Sequence, residues 1–258
     1  ILGGTAPTGA KRFATYDLPA PTITKPSDNF LPILYEGNGG GQRVGNFIPF
    51  TDAYTVDNSC VFDSGDSDYL SKTFSGFVNN KIGSISFWVK RGKLGTAQQI
   101  FHARSGSGSS QILFNSSNQL YYRLEDTSGN QVGQRTTNRL FKDPSNWVHI
   151  LLTFDCANTT QQVYVNGVEE TSFATSAGPT DTDTTISDAT AHYIGSTHAP
   201  ADYFDGYFSE YVYIDGTKLT PSSFGQTDTS TNRWIPKDPS GLTFGTNGFY
   251  LEFGTAAD

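Results

Sequence analysis

Apolar and polar residues alternate with a period of two along much of this chain. In residues 147–154, Val148, Ile150, Leu152 and Phe154 share one face, and Trp147, His149, Leu151 and Thr153 share the other. Neither face is strongly polar, which predicts a central strand covered on both sides. Residues 155–160 carry turn chemistry. Val163, Tyr164 and Val165 then form a second strand, and Asn166-Gly167 follows at once. Both residues of that dipeptide accept positive φ, so a tight hairpin is predicted, with its return over residues 168–173. In residues 82–90, Ile85, Phe87 and Val89 alternate with Ser84, Ser86 and Trp88. Further strands are predicted at 59–62, 69–70, 99–104, 111–115, 120–124 and 132–136, with turns at 63–68 and 126–130. Residues 105–110 are only Gly and Ser and read as a flexible rim. Residues 206–215 form the last long strand. Thr220-Pro221 opens a single helical turn that Gly225 stops.

No long segment shows helical periodicity. Short strands with frequent turn signals predict an all-β fold, an antiparallel two-sheet sandwich. Trp88, Trp147, Phe154 and Val165 are expected inside it. Phe249, Leu251 and Phe253 alternate with Tyr250 and Glu252. They predict a closing strand, expected beside the first core strand near Val61. The sandwich spans residues 54–258, and residues 1–53 read as an extended N-terminal arm broken by Pro7, Pro19, Pro21, Pro26 and Pro32. Ordering such an arm costs about 1 to 2 kcal/mol per residue. Its Phe13, Tyr16 and Phe30 are therefore expected to pack on a neighbouring subunit or back on their own sandwich.

Composition narrows the classes of function. The 258 residues include 19 Phe, 13 Tyr and 27 Gly, as expected for aromatic strands joined by tight turns. A net charge of −8 argues against nucleic acid as a partner. No apolar run is long enough for a membrane-spanning helix, and residues 1–9 lack a secretory signal. The absence of Met predicts a processed chain or part of a longer one. Cys60 and Cys156 read as ordinary buried thiols, with a disulfide as the alternative.

Trp147, His149 and Thr153-Phe154-Asp155, followed by Val163-Tyr164-Val165-Asn166-Gly167, resemble the central meander of laminin G-like, concanavalin A-like jelly-roll domains. Ile194-Gly195 and Phe204, Gly206 and Glu210 fit the same family pattern. The segments KPSDNFLPILYEGNGG, YTVDNSCVFDSGDSDYLSK and TNGFYLEF are similar to segments of structural proteins of tailed, often marine, bacteriophages. The resemblance covers almost everything after Pro26 and implies a jelly roll in a non-enzymatic virion component, on the capsid or tail. It implies other virion proteins as partners, homo-oligomerisation, and assembly in a bacterial host. The alternative is a carbohydrate-binding adhesin for a host-surface glycan; a glycan hydrolase is a third reading.

Candidate chemistry is sparse. Asp63, Asp66 and Asp68 place several oxygens on one short turn, which suits calcium, although tight acidic turns also form without metal. No other cofactor is expected. His198, Tyr203 and Asp205 bring aromatic and acid groups to one loop, able to stack on and hydrogen-bond a sugar or simply to order the loop. His149 reads as a satisfied core residue, and residues 90–93 as a solvated basic turn. Glu169 and Glu170 are adjacent and point to opposite faces, and Glu210 stands alone. No paired carboxylates of a retaining glycosidase are expected.

Overall fold

In the computed structural model, residues 54–76, 79–229 and 231–254 are described. The expectations for the arm at 1–53 lie outside them. Two seven-stranded antiparallel sheets pack face to face. The first follows the order β1 (Cys60–Phe62), β13 (Gly206–Asp215), β3 (Ile82–Arg91), β8 (Val148–Asp155), β9 (Thr160–Val165) and β10 (Val168–Glu169). Its seventh strand, β16 (Phe249–Leu251), pairs with β13. The second follows β11 (Phe173–Ala177), β7 (Gln131–Leu140), β6 (Gln119–Glu125), β5 (Gly108–Phe114), β4 (Gln98–Ser105), β12 (Ala191–Ile194) and β2 (Leu70–Thr73). A small ribbon pairs β14 (Gly225–Thr227) with β15 (Trp234–Pro236). A 3-10 turn at Pro221–Ser223 is the short helical piece expected there.

The core lies between the sheets. Ile85, Phe87, Ile150, Leu152, Phe154 and Phe208 from one side meet Phe101, Ile112, Phe114, Leu120 and Tyr122 from the other, each at most 1% exposed. β8 is central, as its two-sided apolarity predicts. Its second face is covered by a separate cluster in which Leu151, Val212, Ile214 and Phe224 pack with Leu219, Leu242, Phe244 and Tyr250. His149 anchors that cover. Trp234 Nε1–H can only donate, and it reaches His149 Nδ1 at 3.1 Å, so Nε2 carries the imidazole proton and donates to Ser86 Oγ at 2.8 Å. The Asn166-Gly167 turn adopts positive φ at both residues, 49° and 79°. Gly167 is needed twice, because a Cβ there would lie 2.4 Å from the Trp234 ring.

Several expectations are corrected. Trp147 is 38% exposed and Trp88 is half-buried, so neither belongs to the core that holds Phe154 and Val165. Both stand on the first sheet's outer face, at the margin of the C-terminal cover, where Pro236 borders them. The strand at Phe249–Leu251 does not lie beside β1. Both pair with β13 along the same edge, β1 opposite Gly206–Phe208 and β16 opposite Tyr211–Tyr213, end to end. Residues 105–110 are mostly strand: β4 runs to Ser105, β5 starts at Gly108, and Ser110 is fully buried with its N–H on Thr185 Oγ1. The basic turn is split, because Arg91 is 4% exposed. It donates to the Phe141 and Lys93 carbonyls and to Asn118 and Gln98, and lies over the Phe114 ring. Burial alone pulls it down to about 10. Cys60 and Cys156 are free thiols, Cys156 buried and Cys60 half-buried.

Candidate functional site

Residues directly opposed across an antiparallel ladder share a face. In the second sheet Tyr193 opposes His102, His102 opposes Gln111, Gln111 opposes Arg123, and Arg123 opposes Gln134. The intervening Ile194, Phe101, Ile112, Tyr122 and Leu124 point into the core. This polar and aromatic row is therefore the sheet's outer face, crossing five strands.

His198 and Tyr203 join this row from the loop between β12 and β13. The His198 ring stacks on His102 at 5.3 Å and 16°. His102 meets Tyr193 at 6.5 Å, Tyr193 meets Tyr69 at 6.0 Å, and Tyr69 meets Tyr203 at 6.5 Å. Five rings thus form a continuous ladder, with Tyr69 41% exposed and Tyr193 and Tyr203 half-buried. Asp205 does not join it: its carboxylate accepts from Ser64 Oγ at 3.0 Å and ties the loop to the turn at 63–68.

Polar groups beside the ladder are held in fixed directions. Ser109 Oγ lies 2.9 Å from His102 Nε2 and accepts from Gln111 Nε2 at 3.1 Å. Glu125 accepts from the Ser109 N–H at 2.8 Å and pairs with Arg123 at 2.6 Å. The Arg104 guanidinium can only donate, so His198 Nε2 accepts from it at 2.8 Å and the ring stays neutral. Burial and the Arg104 charge lower His198, and burial, then His198 and Arg104, pull His102 down to about 4. Nδ1 of both rings is buried with no hydrogen-bond partner among the described residues. Flat aromatic faces next to oriented amide and guanidinium groups can stack on the CH face of a sugar ring while donating to its hydroxyls.

The proposed metal turn is occupied with its own backbone. Asp63 Oδ1 accepts from the Gly65 N–H at 2.7 Å, and Asp68 Oδ2 from the Asp63 N–H at 3.0 Å. Among the described residues no group of three His, Cys, Asp or Glu side chains is placed to hold a metal. The Asp63 and Asp68 carboxylates thus brace the turn in the manner of an Asx turn.

Glu210 sits at a bulge of β13, at φ 49° and 5% exposed. One carboxylate oxygen accepts from both the Tyr250 hydroxyl at 2.8 Å and the Tyr54 hydroxyl at 3.1 Å. Burial raises its pKa against those hydrogen bonds, and Tyr54 is pushed up to about 12.

The sequence pointed to His198 and Tyr203 and missed Tyr69, Tyr193, His102, Gln111 and Arg123. The available signal was strand alternation: Tyr193 alternates with His192 and Ile194, and Gln111 with Ile112. Which alternate set faces outward depends on sheet pairing.

Residues 63–223 match the family model described as concanavalin A-like lectin/glucanases superfamily, Laminin_G_3. No curated protein sequence matches. Among solved structures the chain is similar to a Bacteroides ovatus ATCC 8483 protein provisionally described as carbohydrate-binding, at 14% identity and TM-score 0.46, over 62% of this chain and 44% of that one. It is also similar to domains LG4-5 of the mouse laminin α1 chain, at 12% identity and TM-score 0.43, over 60% and 40%. A third is domain 4 of AbnA, an extracellular arabinanase of Geobacillus stearothermophilus in complex with arabinotriose, at 20% identity and TM-score 0.44, over 76% and 81%. The match thus spans less than half the length of the first two. With more than half of its length inside the matched model, the chain belongs to the Laminin_G_3 family of concanavalin A-like domains.

Proposed function

We propose that this domain binds carbohydrate, and that the glycan lies on Tyr203, Tyr69, Tyr193 and His198, with the buried His102 ring supporting the row from beneath. The observation that carries this reading is the aromatic row in which Tyr69 is exposed and Tyr193, Tyr203 and His198 are half-buried, beside the oriented polar groups of Gln111, Arg123 and Arg104. An array of bacterial and algal polysaccharides, probed with the full chain, tests it. Tyr193→Ala and Tyr69→Ala should each lower binding at least about tenfold while leaving the far-UV circular dichroism unchanged. Equal binding by the variants, or none by the wild type, overturns it.

The domain acts without cleaving its ligand. Among the described residues the buried carboxylates are Asp188, Glu210 and Asp215. Each is engaged internally, by Asn80, by Tyr54 and Tyr250, and by Ser187 and the Asn247 N–H. Release of reducing sugar from any polysaccharide bound on the array, lost in Glu210→Gln, would refute this. The setting we infer is a tailed-phage virion, with other virion proteins as neighbours; sequence resemblance in 25–40, 54–72 and 246–253 supports it. Mass spectrometry of purified particles should find the chain at a fixed copy number, and its absence there removes the setting.

A further inference from the structure

The first sheet carries a second group of aromatic residues, on the opposite side of the sandwich from the ladder. Trp147 and Tyr207 are 38% and 41% exposed, with ring centroids 6.3 Å apart. Beside them Trp88, Trp147, Asp57, Asn58, Ser209 and Pro236 line a groove of about 410 Å³. One wall is indole and proline. The other is the chain at 56–59, fixed to β13 by Ser209 Oγ donating to the Asn58 carbonyl at 2.6 Å.

Neither the Asp57 carboxylate nor the Asn58 carboxamide hydrogen-bonds another described residue, and the indole N–H groups of Trp88 and Trp147 have no partner among them either. The Trp234 indole, in contrast, is committed to His149. Among the described residues no cationic side chain lines the groove. Together with a chain charge of −8, that disfavours an anionic ligand. Flat apolar walls, and a carboxylate, an amide and two N–H donors without partners among the described residues, match a ring that is apolar on its faces and hydroxylated around its rim. We propose that this groove is a second saccharide site, taking a neutral hexopyranose with equatorial hydroxyls, as in β-linked glucose. The ring stacks on Trp147, and its hydroxyls donate to Asp57 and accept from the Trp88 indole N–H. The site is independent of the ladder, so the domain can hold two glycan chains, one on each side.

The three tryptophans provide the test. In the full chain, the indole N–H resonances of Trp88 and Trp147 should shift on adding cellohexaose to about 10 mM, while that of Trp234 stays in place. Asp57→Asn, which keeps the shape, should weaken the titration about tenfold. Trp147→Ala should abolish the Trp88 shift without loss of folded dispersion, and Tyr193→Ala on the ladder should leave it intact. No shift at saturation, or equal shifts of all three indoles, overturns the proposal. So does self-association, measured by light scattering, that Trp147→Ala removes, since the patch is then a protein interface.

Discussion

The outer face of the first sheet bears Leu151, Val212 and Ile214 beneath Phe224, Leu242 and Phe244, whereas the same face of the second bears Gln111, Arg123 and Gln134 with no such cover. A face that is to be roofed is built from apolar residues and acquires a second small core. A face that is to meet water or ligand keeps its alternation, with polar side chains braced against each other. The Trp88–Trp147 corner is the exception that joins the two cases: it is apolar like the roofed face, yet the roof only borders it, at Pro236. The difference between the two faces is therefore a difference in what the C-terminal segment covers.

The comparison can be broken at its roots. Phe154 is fully buried between the sheets, and Phe154→Ala should cost about 3 to 5 kcal/mol by chemical denaturation. A loss below 1 kcal/mol, on the order of a surface change, removes the shared core from the argument. Acidification comes next. Burial holds His102 and His192 down to about 4 and His149 to about 3. Each folded-state value lies below the unfolded value of about 6.5, so the unfolded chain takes up protons first as the pH falls. Stability should be full above about pH 6.5 and decline toward pH 4, by on the order of 3 kcal/mol per histidine. Glu210, with its raised value, acts oppositely: its contribution is present below about pH 4.5 and lost as the pH rises through its folded value. A flat or rising melting temperature between pH 7 and pH 5 contradicts this assignment. Smaller is Gly167→Ala, which should cost about 2 kcal/mol by forcing a Cβ at positive φ against the Trp234 ring that anchors the roof. Smallest is Trp147→Ala on the unroofed corner, expected below about 1 kcal/mol; a core-sized loss there would return Trp147 to the interior.

The same contrast explains what was legible. Strand positions, the Asn166-Gly167 turn, the long strand at Gly206–Asp215 and the two-sheet architecture all follow from local alternation and turn chemistry. Trp147 was misplaced because a two-sided apolar strand reads the same whether its second face is roofed along its whole length or only part of it. The roof is contributed by residues 219–250, far away in sequence. His198 and Tyr203 were legible as loop residues with chemistry, but Tyr69 and Tyr193 become their neighbours only through the pairing of β2 with β12, a register no local pattern encodes. Asp205 was grouped with them by proximity in sequence, and the chain turns it to the other side to meet Ser64.

The end-to-end placement of β1 and β16 along β13 also has a mechanical side. Cys60, where the first strand begins, lies opposite Phe208, and Leu251, where the last strand ends, lies opposite Tyr211. The chain therefore enters and leaves the sandwich at one spot, on either side of the bulge at Glu210, with the Tyr54 and Tyr250 hydroxyls meeting there at 3.0 Å. Force applied at Cys60 and Leu251 would therefore meet on β13 at that bulge, next to the 56–59 wall of the Trp88–Trp147 groove and on the sheet that does not carry the ladder.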